Sequence, residues 1–148
     1  MRKTNMKNQY TFLDHTADVL FQATAKTIEE LFRQAGLATF ATMTDLETVG
    51  TTEKRKFTIT ANTIEYLLFD FLDELLMFKD SEILFFSDFK INIQKTEEEK
   101  FQLNAVCFGE PVTEGKHDRK LDVKAITLHL FEVKEVKDGW SCQVLLDI

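Results

Sequence analysis

The chain has 148 residues, enough for one domain whose core needs neither disulfide nor metal staples. Hydrophobic residues make up 44% and charged residues 29%, a globular balance, and 14 Phe against one Trp and two Tyr point to aromatic core packing. The net charge of -7 repels a phosphate backbone at long range, so tight direct nucleic-acid binding is not expected of the chain as a whole.

Residues 1–10 are polar and lack the apolar core of a signal peptide. No apolar run anywhere reaches the roughly 18 residues that would span a bilayer. A cytoplasmic protein without a membrane partner is expected.

A short strand is predicted from Tyr10 to Leu13. After it come Asp14-His15-Thr16-Ala17-Asp18, three ionisable side chains in five residues, and then a strand from Val19 to about Thr24. Two carboxylates and an imidazole at a strand edge suit a metal site or acid–base chemistry, and equally an ordinary turn. Thr27, with Glu30 three residues on, reads as a capping box. Ile28, Leu31, Phe32 and Ala35 then follow at helical spacing to about Ala41, before a polar loop over residues 42–52.

Phe57, Ile59 and Ala61 alternate as a strand. Asn62 with Glu65 reads as a second cap, and Ile64, Leu67, Leu68, Phe71, Leu72 and Leu75 form a wide helical stripe. The polar face of this helix carries Asp70, Asp73 and Glu74, read as a solvated acidic face. Phe89 to Ile93 and Phe101 to Cys107 read as a hairpin, with Gly109-Glu110-Pro111 breaking the second strand. A polar loop follows, containing the one dense basic run, Lys116-His117-Asp118-Arg119-Lys120. A long strand is predicted from about Asp122 to Val136, with Ile126, Leu128 and Leu130 on one face. Lys137-Asp138-Gly139 is a turn, and Trp140, Cys142, Val144 and Leu146 form the apolar face of the last strand.

The predicted fold is α+β: a single compact domain spanning 1–148, with two helices packed on a mostly antiparallel multi-stranded sheet. Cys107 and Cys142 each sit in an alternating apolar run and read as small buried hydrophobes, with a disulfide left open. The cysteines and histidines have no zinc-site spacing. Asp147 falls on the strand face opposite Trp140, Cys142, Val144 and Leu146, so its carboxylate should point away from that layer. The carboxylate of Ile148 would add another anionic group one residue on.

In order and at their spacing, several segments make the chain resemble the archease family. They are Phe12-Leu13-Asp14-His15-Thr16-Ala17-Asp18-Val19, Thr27-Ile28-Glu29-Glu30-Leu31-Phe32 and Leu67-Leu68-Phe69-Asp70-Phe71-Leu72-Asp73-Glu74-Leu75-Leu76. Gly109-Glu110, Lys116-His117, Val123-Lys124-Ala125-Ile126-Thr127-Leu128-His129 and the closing Asp147-Ile148 complete the match. The resemblance departs at Leu20 and Ala25, where members often have Gly, at Asp122, where Glu is usual, and at Leu128, often aromatic.

The resemblance implies an accessory protein, itself no enzyme. Its partner is the tRNA-splicing RNA ligase that joins 3'-phosphate (or 2',3'-cyclic-phosphate) and 5'-hydroxyl RNA ends. It would promote guanylylation of the ligase's active-site histidine and allow multiple turnover. It also implies a divalent metal, calcium first and magnesium or manganese as alternatives, held by Asp18, Asp147 and Ile148. Oxygen donors suit such hard cations, and three close anions would otherwise repel.

His15 would orient Asp18 or cap the turn, while Asp14 reads as structural. Lys124, read as lying within an apolar strand, would pair with the carboxylates, reach a ligase group or nucleotide phosphate, or guard a sheet edge. Two other functions fit the same residues: a small metal-dependent hydrolase using Asp18 with His15 as base, and a general chaperone or interaction module.

Overall fold

The computed structural model describes residues 6–148. Its elements run β1 (Gln9–Leu13), β2 (Val19–Ala25), α1 (Ile28–Met43), a single 3-10 turn (Leu46–Thr48), β3 (Glu53–Ala61) and α2 (Ile64–Glu82). Then follow β4 (Leu84–Lys95), β5 (Phe101–Pro111), β6 (Ala125–Val136) and β7 (Gly139–Asp147). The α+β expectation holds, with one refinement: the strands divide into two antiparallel sheets, ordered β1-β2-β7-β6 and β3-β5-β4.

Each helix touches both sheets. α1 packs mainly on β4 and β2, and α2 mainly on β6 and β3. This explains the burial of α1 on almost every side, polar Gln34, Thr39 and Thr42 included. The two threonines satisfy their hydroxyls within the helix, on the carbonyls of Ala35 and Ala38. Among the core phenylalanines, Phe40 meets Phe86 edge to face at 5.5 Å, and Phe71 meets Phe32 and Phe89 at 5.7 and 6.0 Å. Each buried Phe contributes about 1.5–3 kcal/mol of transfer free energy.

Local chemistry corrects several boundaries. Thr27 caps α1 by accepting from the Glu30 N–H at 3.1 Å, but the Glu30 carboxylate accepts from Arg33 and Gln34 instead of closing the box. Thr63, not Asn62, caps α2, because its hydroxyl reaches the Tyr66 N–H at 3.2 Å. β5 runs through Gly109 to Pro111. Gly109 is needed there for close approach, since a Cβ would collide with the Phe85 carbonyl beside the irregularity between Phe86 and Asp88 of β4.

β6 starts at Ala125 and not at Asp122, because residues 122–123 are held by α2. The Lys79 ammonium, almost fully buried, donates to Asp122 at 2.8 Å and to the Val123 carbonyl at 2.9 Å, and also pairs with Asp80 at 2.7 Å. The expected shared face of Ile126, Leu128 and Leu130 fails too. Between Thr127 and Glu132 β6 advances five residues while β7 advances two, from Leu145 to Gln143. The surplus bulges outward, with Leu130 at φ 60°, leaving Leu128 and Leu130 exposed while Ile126 stays buried.

No helix among the described residues is long and apolar enough to cross a membrane. Cys107 and Cys142 are free, buried and on different sheets, and burial pushes both thiols up to about 12.

Candidate functional site

The β2–β7–β6 register brings the two ends of the sequence together. Val19 pairs with Leu146, and Leu146 with Ile126. One step on, Asp147 pairs with Ala125, while the β2–β7 pairing stops at Val19, so Asp18 is the bend residue just before the last pair. Asp18 and Asp147 therefore each adjoin the Val19–Leu146 pair in sequence, and both are partly exposed.

Parity then decides the face of Asp147. Val19, Leu146 and Ile126 belong to the core, so the next row, Asp147 with Ala125, lies on the opposite, helix-free face. This agrees with the expected direction of Asp147. That face is less polar than expected, however. The row two steps away joins Leu13, Leu20, Leu145 and Thr127. Leu20 and Leu145 are buried at 7% and 3% exposure yet lie outside the main core cluster. The bulge of β6 lies beside them, drawn onto this face by the Gln143 amide, which donates to the Leu130 carbonyl at 3.0 Å. The carboxylate pair thus stands at the edge of a small second apolar cluster.

The turn before Asp18 is strained. Ala17 has φ 68°, the left-handed region, which costs a residue with a Cβ about 1–2 kcal/mol. The turn redirects the chain from the exposed end of β1 into β2 and delivers Asp18 to the end of the sheet where Asp147 stands.

Lys124 stands just before β6 and not within a strand. Its N–H donates to the Asp147 carbonyl at 2.8 Å, which fixes its backbone beside the carboxylate row, and its side chain is exposed. Its ammonium pairs with no carboxylate among the described residues. Ile148 is partly buried and packs against the core cluster. The structure so brings Asp18, Asp147, Ile148 and Lys124 to one end of one sheet. His15 is exposed on the adjoining turn, as is Asp14. Among the described residues the histidine with side-chain hydrogen bonds is His117, so neither an orienting bond to Asp18 nor a turn cap is formed by His15.

Hard divalent cations take oxygen ligands. Two carboxylates at one end of the sheet with no internal cation, and the main-chain oxygens of Ile148 one residue on, fit that preference. No three His, Cys, Asp or Glu side chains cluster as a metal cage among the described residues, so the fit rests on two side chains and on main-chain oxygen. On α2, Asp70 and Glu74 have raised pKa values, from partial burial first and the Asp73 charge second, and they form no such cage either.

A second polar constellation was not anticipated as a unit. Glu110, at the end of β5, is buried and accepts from the Gly50 N–H at 2.8 Å, from Lys116 at 2.8 Å and from His117 Nε2 at 2.8 Å. These three contacts, Gly50 foremost, hold its carboxyl down at about 2. His117 Nδ1 accepts from the Thr113 N–H at 2.9 Å, so the ring proton sits on Nε2 and is donated to Glu110. Both imidazole nitrogens are in use and the side chain is sealed from solvent, which makes this a clasp on the 112–124 loop. The spacing Glu110…Lys116-His117 was its sequence signal, though only the fold supplies Gly50.

Comparison with known proteins agrees with the fold. Residues 10–148 match the model of the Archease protein family (MTH1598/TM1083). The chain is 38% identical to the protein archease of Methanothermobacter thermautotrophicus, covering 94% of this chain and 98% of the other. It is 36% identical to that of Pyrococcus abyssi, covering 91% and 95%. The solution structure of protein 1598 of Methanobacterium thermoautotrophicum superposes with a TM-score of 0.84 at 38% identity, over 94% of this chain and 98% of that one.

Proposed function

The chain belongs to the archease family, and from that premise we propose that it is a metal-dependent accessory protein of an RNA ligase in tRNA splicing or RNA repair. It acts in the cytoplasm on the ligase that joins 3'-phosphate and 5'-hydroxyl RNA ends. It promotes guanylylation of the ligase's active-site histidine and sustains multiple turnover, and the covalent chemistry belongs to the ligase.

The observation that carries this reading is the gathering of Asp18 and Asp147 at one end of one sheet, on either side of the Val19–Leu146 pair, with Lys124 beside them. Like charges held close together repel. Their placement at the open end of the sheet makes sense if a cation joins them. Asp18, Asp147 and a main-chain oxygen of Ile148 would hold it, calcium by preference, with magnesium or manganese as alternatives. Bound there, the ion would neutralise the pair and leave coordination positions for water or for groups of the ligase. Lys124 offers a point charge for a ligase carboxylate or a nucleotide phosphate. His15 lies on the exposed turn where a partner would pass.

The test is transfer of labelled GMP from GTP to the ligase, with and without this protein. Native chain is expected to stimulate guanylylation and turnover when a divalent cation is present, and Asp18→Ala and Asp147→Ala to abolish the stimulation. Full stimulation by either variant would sink the proposal. Phosphoester hydrolysis by the isolated protein with calcium or magnesium would point instead to the hydrolase.

A further inference from the structure

The basic run Lys116–Lys120 has no part in the carboxylate site. Its members separate in the fold: Lys116 and His117 are committed to Glu110, whereas Arg119 and Lys120 pair with no carboxylate among the described residues. Both line a groove of about 450 Å3 between the ends of α1 and α2, the start of β4 and residues 119–122. Ligand pockets commonly enclose about 300–1,000 Å3.

The groove has an apolar floor and an apolar lip. Met43 and Phe85 are buried beneath it, while Ile83 and Leu121 stand at its edge with 50% and 45% exposure. Its walls are held in place. The Lys120 N–H donates to the Met43 carbonyl at 2.9 Å, and the Val112 N–H to the Ile83 carbonyl at 2.9 Å. Ile83 itself is the C-cap of α2 and adopts φ 55°, the left-handed conformation that ends a helix and turns its side chain out at the lip. Asp80 and Asp122 also line the groove, but both are tied to Lys79. Three cations against two carboxylates leave a local positive excess in a chain of net charge -7.

We propose that this groove is a nucleotide-binding site, taking a flat base over the Ile83–Leu121 lip and its phosphate on Arg119 and Lys120. An inorganic anion would use the two cations and leave the exposed apolar lip in water. A purely apolar ligand would cover the lip and strand two unpaired charges. A nucleotide, free or at the end of an RNA, meets both demands: its base covers apolar surface, and its phosphate takes the charges of Arg and Lys. The acidity of the whole chain limits the site to a short ligand and argues against a tracked duplex.

The full chain, labelled with nitrogen-15, can be titrated with GMP, with inorganic phosphate and with a short oligoribonucleotide bearing a 3'-phosphate. Saturable shifts of the Ile83, Val112 and Lys120 amides are expected with GMP and not with phosphate. Arg119→Ala with Lys120→Ala should weaken them at least about tenfold, while Asp18→Asn with Asp147→Asn leaves them unchanged. That last pair separates this site from the carboxylate one. Tighter binding of the oligonucleotide than of GMP supports an RNA end as the ligand, and the reverse supports a free nucleotide. Equal shifts with inorganic phosphate, saturation by an acidic peptide instead of GMP, or GMP shifts that survive the double substitution would each overturn the proposal. Both substituted residues are exposed, and a dispersed amide spectrum verifies that the variant is folded.

Discussion

Two carboxylate centres in this protein have similar parts and opposite states of satisfaction. Glu110 is buried, with a backbone N–H, an ammonium and an imidazole N–H all directed at it. Asp18 and Asp147 stand at the open end of a sheet, with no cation of the chain paired to them among the described residues. Each centre has a histidine close in sequence and a lysine close in the fold, so composition alone does not tell them apart. The difference teaches that a polar cluster's role follows from who completes it. One completed internally fixes a loop. One left open at the surface has room to take a ligand.

Removing Glu110 should have the largest effect on stability. Glu110→Ala strands the Gly50 N–H and the sealed His117, and should cost about 3 kcal/mol in urea unfolding. A loss below about 0.5 kcal/mol, the range of ordinary surface substitutions, would put this centre in the same class as the open one.

The pH dependence sharpens the contrast. The Glu110 carboxyl lies near 2 in the folded chain, against 4.5 without its partners. The unfolded state therefore binds the proton more readily, and the stabilisation is present above pH 4.5 and lost as pH falls from about 4.5 toward 2. Chemical denaturation across that window should show a shallower decline for Glu110→Gln than for the native chain, from a lower starting stability. Identical slopes would mean the carboxylate is not the group that titrates.

At the open centre, Ala17→Val puts a β-branched residue at φ 68° and should cost about 1–2 kcal/mol beyond the native strain. It should also reduce any calcium-induced rise in melting temperature, because the turn aims Asp18. A preserved calcium response would show that the turn does not position the site. Asp147→Asn should change metal-free stability by less than about 0.5 kcal/mol, or raise it slightly, since it relieves the repulsion from Asp18. The native chain should gain melting temperature with calcium and the variant should not, and a gain in both would move the ion elsewhere. The smallest effect belongs to Lys124→Ala. The bond to Asp147 comes from its backbone N–H and survives, so stability should hold within about 0.5 kcal/mol while ligase stimulation falls.

Local signals explain what was legible beforehand. Thr27 announced α1 because capping is settled within three residues, and the alternation of Phe57, Ile59 and Ala61 announced β3 because strand period is local. Where local patterns competed with tertiary contacts, the contacts won. Lys79 holds Asp122 and Val123 out of β6, and the bulge turns Leu128 and Leu130 away from the face their spacing suggested. Gly109 looked like a strand breaker because glycine ends many strands, but here it serves close packing in the middle of a sheet.

The sequence by itself determined the α+β class, the two helices, most strands and the family, and it named Asp18, Asp147, Ile148 and Lys124 as a candidate set. Their proximity was decided by tertiary structure alone. Asp18 and Asp147 lie at opposite ends of the chain and come to one end of a sheet through the pairing of β2 with β7, an interaction that no local window contains. The same holds for the Glu110 clasp, whose Gly50 donor comes from a distant loop, and for the groove that leaves Arg119 and Lys120 unpaired. Propensity and period act over a few residues, whereas a site's electrostatics depend on which distant groups the fold places within a few ångströms.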